Sequence, residues 1–212
     1  MGRGSSKPAG FRDVDGILLL NKPLGITSNK ALQMARHLFK ANKGGHTGSL
    51  DPLASGMLPI CFGEAAKFSS YLLDASKSYR AICHLGKTTS TGDAEGEITS
   101  ESTVNVTEAD ITAVLKSLTG SIQQIPPMYS ALKHKGQPLY RLARKGKEVE
   151  RAARTVEIYK LAQLSFDGFQ LEIDVHCSKG TYIRTIAEDI GSALGCGAFV
   201  SLLDRKAVHP YW

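Results

Sequence analysis

Long apolar runs are missing from this chain of 212 residues. Near its start the longest purely aliphatic stretch is Ile17 to Leu20, too short for a signal-peptide core of ~7–15 residues or a membrane span of ~20. No membrane insertion is therefore expected, and the cytoplasm is the default compartment. Cysteine is scarce as well. The four cysteines, at positions 61, 83, 177 and 196, form no C-x-x-C pair, and no histidine stands at zinc-finger spacing from them. That argues against a disulfide framework and a structural zinc site, and predicts reduced, mostly buried thiols. H-E-x-x-H and G-x-S-x-G are both absent, so zinc proteases and serine hydrolases lack their parts. Gly86-Lys87-Thr88 ends like a phosphate-binding loop, but the position five before Gly86 is Ala81, and a strand ends there, so a P-loop nucleotidase is rejected. His176 and Cys177 adjoin on a strand and point to opposite faces, which separates them as metal ligands.

What remains is an ordinary globular composition, 42% hydrophobic and 22% charged, in a chain long enough for one well-filled core but not for two full-sized domains. Lysine and arginine outnumber aspartate and glutamate by 26 to 20, a formal net charge of +6. A basic surface attracts phosphates and releases their condensed counterions, so nucleic acid is the partner class to test first.

Along the chain, residues 1–12 mix Gly, Ser, Lys and Pro without apolar period and read as a flexible basic tail, with order beginning near Val14. Gly16 to Leu20 reads as a strand closed by Asn21-Lys22-Pro23, followed by a helix capped by Ser28 with Leu32, Ala35 and Leu38/Phe39 at helical spacing. Residues 44–56 read as a glycine-rich loop, 57–62 as a strand, and Ala65, Phe68 and Leu72 as a second helix. Tyr79 to Leu85 alternates as a strand, Thr91 to Gly96 is a turn-rich acidic loop, and Thr107 to Asp110 forms a capping box for a helix that Gly120 stops. Basic residues at 133, 135, 141, 144, 145, 147, 151 and 154 face only Glu148 and Glu150 in the stretch 133–154. That stretch is either a solvated helix face or a surface that grips an RNA backbone. Strands over 156–166 and 169–176, a helix over 182–194 and a strand over 198–208 complete the chain, with no internal repeat.

One carboxylate stands out by its setting. In the run Gly44 to Gly56 (GGHTGSLDPLASG), Asp51 precedes a proline inside a glycine-rich loop held between regular elements, a good place for chemistry. On its own an Asp-Pro pair is most often a turn.

From Asp15 onward the chain closely resembles the TruB family of tRNA pseudouridine-55 synthases. The likeness runs through segments 16–29 (GILLLNKPLGITSN), 45–68 (GHTGSLDPLASGMLPICFGEAAKF), 77–81 (KSYRA), 125–133 (IPPMYSALK) and 176–185 (HCSKGTYIRT). It implies an α+β pseudouridine synthase fold over residues 13–212: a mixed, largely antiparallel central sheet, flanking helices, and a basic RNA-binding insertion at about 121–154. By the same resemblance Asp51 is the catalytic aspartate, attacking the flipped nucleoside at the base or at the ribose anomeric carbon. Arg184 is the arginine that pairs with it, and Tyr79 the tyrosine that stacks on the target base and helps remove the C5 proton. Tyr182 and Leu203 match positions lining the uracil pocket. Tyr129 and Lys67 lie in family segments and serve the substrate or the fold. His46 matches the histidine that enters the space vacated by the flipped base.

The reaction so implied is an isomerisation, with no redox change and no phosphate transfer, so no cofactor or metal is implied. The expected partner is the T-arm of tRNA, bound by a monomer without a protein partner. Family members usually continue past the position of Trp212 into a C-terminal RNA-binding region of the PUA type, absent here. The catalytic set is complete, so chemistry is expected to be retained with weaker RNA affinity. The rival readings are a guide-RNA-dependent synthase of the dyskerin type and a non-catalytic module that binds or folds tRNA.

Overall fold

A computed structural model of the protein describes residues 10–212. Residues 1–9 of the expected tail lie outside the described residues. At the other end of that stretch, Phe11 meets the His37 ring edge-on at 5.4 Å and Arg12 bridges to Ala41, so contacts begin ahead of Val14.

In chain order come β1 (Gly16–Lys22), α1 (Ser28–Phe39), β2 (Gly44–His46), β3 (Ala54–Phe62), a 3-10 turn (Gly63–Phe68), α2 (Ser69–Asp74), β4 (Lys77–Leu85), β5 (Lys87–Thr89) and β6 (Ile98–Glu101). There follow α3 (Glu108–Ser117), β7 (Gly120–Gln124), β8 (Lys133–His134), β9 (Gln137–Pro138), α4 (Leu139–Ala143), β10 (Arg154–Phe166), β11 (Gln170–Cys177), α5 (Ile183–Ala193) and β12 (Ala198–Val208). The fold is α+β with mainly antiparallel pairing, the class expected. No helix among the described residues is long and apolar enough to cross a membrane.

Two compact units divide the chain, one ending at Lys77 and taking up Asp204–Trp212, the other spanning Ser78–Leu203. In the first, β1 and β2 both pair antiparallel with β3, and the 204–208 part of β12 lies on the other side of β3 from β1. Leu32 and Ala35 of α1 pack with Ala41, Ile60 and Phe62, joined by Leu18 and Leu20 of β1. The helix begins one residue earlier than expected: Thr27 is the cap and accepts from the Lys30 amide. Leu38, placed on the apolar face by spacing, is 80% exposed; its neighbour Phe39 takes that face instead, with its ring 5.5 Å from that of Phe62. The helix expected from Ala65 to Leu72 starts as a 3-10 turn and becomes α-helical only at Ser69.

In the second unit the 198–203 part of β12 is followed across the sheet by β4, β11, β10 and β7. Alternation is cleanest in β11, where Leu171, Ile173, Val175 and Cys177 are buried between half-exposed polar residues. Each such burial stabilises by about 1.5–3 kcal/mol for the aliphatic side chains. His176 and Cys177 do take opposite faces, one half-buried and one buried. The capping box of α3 forms as expected, with Thr107 and Asp110 bonding each other's backbone amides. The basic stretch is not one helix face: it folds as the small β8–β9 hairpin, the short α4 and irregular chain to β10, because Gly136, Pro138 and Gly146 interrupt it. All four cysteines are free and buried, and burial pushes the Cys83 thiol up to about 12.

Candidate active site

In the first unit, the glycine-rich segment is shorter as a loop than the sequence suggested. Its two ends are drawn into β2 and β3, leaving residues 47–53 as the connection that carries Asp51. That connection is pinned along its length. The Thr47 amide donates to the Pro59 carbonyl at 3.0 Å, the Gly25 amide to the Pro52 carbonyl at 2.8 Å, and the Ala54 amide to the Asp51 carbonyl at 3.0 Å. Ser28, expected as a helix cap, instead reaches the residue before the aspartate. Its hydroxyl accepts from the Leu50 amide at 2.7 Å and donates to the Leu50 carbonyl at 3.0 Å. A buried hydroxyl satisfied twice by one residue fixes the backbone next to Asp51.

His46 ends β2, opposite Ile60 of β3. Burial, and secondarily the charge of Arg205, hold its imidazole below the ordinary value near 6.5, so it is neutral at neutral pH. Its Nδ1 is buried and has no hydrogen-bond partner among the described residues. A neutral, partly buried ring with an unused nitrogen is suited to stacking and to one further hydrogen bond. Lys67 lies in the 3-10 turn, pairs with Glu64 and is 74% exposed as a side chain; the Glu64 hydrogen bond raises its pKa.

In the second unit, Tyr79 lies on β4 and Leu203 on β12, both buried. Arg184, near the start of α5, is 5% exposed. Its Nη1 donates to the Thr91 carbonyl at 3.0 Å and its Nη2 to the Tyr129 carbonyl at 2.6 Å. Nη1 also stands 3.2 Å from Oδ2 of Asp93, a pair whose side chains are 6% and 3% exposed. Asp93 is the residue the sequence reading missed, since it stood in a loop read only as turn-rich and acidic. Its Oδ1 accepts from the Thr91 hydroxyl at 2.5 Å and from the Glu95 amide at 3.1 Å. An aspartate accepting from its own loop is the signature of an Asx turn, which explains the composition and hides the ion pair. Tyr182 caps α5 by backbone alone: its amide donates to Oε1 of Gln124 at 2.7 Å, and its carbonyl accepts from Nε2 of the same side chain at 3.1 Å. Buried Gln124 thus sets the entry to the helix that carries Arg184, with no sequence signal beyond its place at the end of β7. Tyr129 lines an open pocket of about 290 Å³ with Thr91, Pro126, Arg151, Thr185 and Glu188. Burial pushes the Glu188 carboxyl up, opposed by Arg184.

The structure therefore gathers Arg184, Tyr129, Thr91 and Asp93 in one unit, and in the other mounts Asp51 on a braced connection that begins directly after His46 at the end of β2. Among the described residues no group of three or more His, Cys, Asp and Glu side chains is placed to hold a metal ion.

Residues 36–183 match the model of the TruB family pseudouridylate synthase, N terminal domain. The chain belongs to that family. It is 61% identical over 194 residues to tRNA pseudouridine synthase B of Methylobacillus flagellatus, which covers 92% of this chain and 64% of that protein. Against tRNA pseudouridine synthase B of Yersinia enterocolitica it is 58% identical over 200 residues, 94% of this chain and 61% of the relative. Against that of Pseudomonas fluorescens the figures are 60% over 200 residues, 94% and 66%. The chain thus spans a little under two thirds of the length of the curated relatives it matches. Among solved structures it is similar to one chain in a crystal structure of a Cbf5-Nop10-Gar1 complex. The TM-score is 0.74 at 29% identity, covering 99% of this chain and 56% of that one. A chain in a structure of an H/ACA RNP bound to a substrate RNA containing 2'-deoxyuridine matches with TM-score 0.68 at 29% identity, covering 92% and 48%. The family model and the named relatives thus give the family, and the solved structures agree with the fold.

Proposed function

We propose that this chain carries the catalytic domain of an enzyme that isomerises a uridine of tRNA to pseudouridine, at position 55 of the T-loop, with Asp51 as nucleophile. The observation that carries the reading is the mounting of Asp51. A single carboxylate sits on a seven-residue connection tied to its surroundings at Thr47, Leu50 and Pro52, as a nucleophile that must meet one atom of a flipped nucleoside requires. The relatives named tRNA pseudouridine synthase B, at 58–61% identity, support tRNA as the substrate.

In this reaction the N1–C1′ bond of the target breaks, the uracil turns, and a C5–C1′ bond forms. The proton leaves C5 and N1 gains one. Asp51 forms the covalent link that lets the first bond break, and that link is cleaved again as the C5-linked product forms, which returns the carboxylate. Tyr79 receives the C5 proton, and Arg184 supplies the positive charge of the catalytic set. His46 takes the place of the extruded base, for which its neutral ring is suited. Tyr182, Leu203 and Tyr129 serve the uracil site, and the basic residues of 133–154 hold the backbone of the T-arm. Lys67, exposed and paired with Glu64, contacts the substrate only from the surface.

Purified protein incubated with unmodified tRNA, followed by carbodiimide labelling and reverse transcription, tests this directly. A new stop at position 55 with no other RNA or protein added is the expected result. A second reading, a guide-dependent synthase, is favoured by the likeness to a chain of the Cbf5-Nop10-Gar1 complex. The same assay separates the two, since that reading requires no product until a guide RNA is supplied.

A further inference from the structure

A buried cation is held against the Asp51 connection from the far end of the chain. Arg205 is 2% exposed and stands on the part of β12 that belongs to the first unit. Its Nε donates to the Met57 carbonyl at 2.7 Å and its Nη2 to the Gly48 carbonyl at 3.2 Å. These two carbonyls bracket Asp51, one on the connection before it and one on β3 after it. No carboxylate lies within ion-pair distance of Arg205 among the described residues.

Such an arrangement is costly to fold, because a charge is desolvated against carbonyls alone, and an apolar side chain would avoid that cost. What the guanidinium supplies in return is geometry: a rigid planar fork that holds two acceptors at once in a fixed relation. Glycine conformations serve one acceptor and the approach of the strand that carries Arg205. Gly48 has φ +85 and turns its carbonyl inward, while Gly56, at φ +102, lets the β12 backbone approach β3 so closely that a Cβ there would stand 2.3 Å from the Arg205 carbonyl oxygen. The other ties on the connection come from the neighbouring α1 segment or from β3. Arg205 alone among them brings charge, and that charge also reaches His46.

We propose that Arg205 is a positioning residue for Asp51, a buried brace that holds the connection between Gly48 and Met57 so that the carboxylate keeps one direction. The proposal rests on the reading of Asp51 as nucleophile, and its test has one arm independent of that reading. Arg205→Gln and Arg205→Lys are compared with wild type in amide hydrogen exchange without RNA, in tRNA binding, and in single-turnover pseudouridine formation.

The expected result is local. Exchange at residues 48–53 rises ~10-fold or more in Arg205→Gln while the strands of the second unit keep their protection. The single-turnover rate falls ~10- to 100-fold, as a misplaced reacting group costs, tRNA affinity stays within a factor of about two, and Arg205→Lys recovers part of both losses. Unchanged exchange at 48–53 in a folded Arg205→Gln variant overturns the brace whatever the activity. A fall in tRNA affinity as large as the fall in rate overturns it in favour of an RNA contact, and global unfolding of both variants in favour of a general stability role. If wild-type protein forms no pseudouridine, the function proposed above fails while the exchange arm still decides the brace.

Discussion

The pair of Arg184 and Asp93 offers a perturbation whose size follows from its burial. Both side chains are nearly inaccessible, at 6% and 3%, with 3.2 Å between Nη1 and Oδ2, and Arg184 adds two backbone carbonyls. Asp93→Asn keeps the shape and an acceptor for the Thr91 hydroxyl, but removes the carboxylate that Arg184 meets in its own unit. Breaking a buried ion pair from one side costs about 3–5 kcal/mol. The retained hydrogen bonds put this variant at the lower end, about 3 kcal/mol. For a chain of this size 1 kcal/mol shifts Tm by ~2–4 °C, so a fall of roughly 6–12 °C is expected in thermal unfolding followed by circular dichroism. The informative comparison is the double-mutant cycle with Arg184→Met: the double variant should recover about 1 kcal/mol or more over the sum of the single losses. Strictly additive losses, or a shift in Asp93→Asn below about 2 °C, would refute the claim that Arg184 and Asp93 form a buried, coupled ion pair.

Other expectations are as specific. Ser28→Ala leaves the Leu50 amide and carbonyl without their partner; a loss of about 1–3 kcal/mol, with faster exchange at the Leu50 amide, is expected in urea titration with hydrogen exchange. Gly56→Ala places a Cβ 2.3 Å from the Arg205 carbonyl oxygen at φ +102, so the variant should lose at least about 3 kcal/mol, and a Tm within about 3 °C of wild type would contradict the packing described. His46 has its folded pKa lowered by burial and by Arg205, so the unfolded chain binds the extra proton first. Its contribution to stability is full above the ordinary value of 6.5 and is lost as pH falls from there towards the lowered folded value. The urea midpoint of His46→Gln should therefore fall less than that of wild type between pH 7 and pH 5, and equal falls would contradict the shift.

The strands were legible wherever one face is buried. Tyr79 to Leu85 and the inward residues of β11 alternate because the sheet face forces them to, and β12 alternates in two stretches that change phase at Ser201 and Leu202. The capping box at Thr107 was legible because its two bonds are local. Position, rather than residue type, hid the rest. Ser28 and Thr27 are equally good caps, and only the tertiary approach of Leu50 decides which one turns inward. Asp93 looked like a loop aspartate because its Asx turn is real, and its ion pair is made with a residue 91 positions away. Arg205 read as one more residue of the closing strand, because nothing local announces that it will be buried against Gly48 and Met57. Of the expected site residues, Asp51 was conspicuous through its glycine-rich setting, whereas the roles of Tyr79, Arg184 and His46 came from family resemblance alone.

Forming the carbon–carbon glycoside must expel the hydrogen at C5 of the target uracil, so the central claim is tested most directly by tritium release from C5-labelled, unmodified tRNA. Wild-type protein should release tritium, and Asp51→Asn should release none while binding the same tRNA with nearly unchanged affinity. Release by Asp51→Asn at the wild-type rate, or binding without release by wild type, would contradict the assignment of this chain as a pseudouridine synthase acting through Asp51.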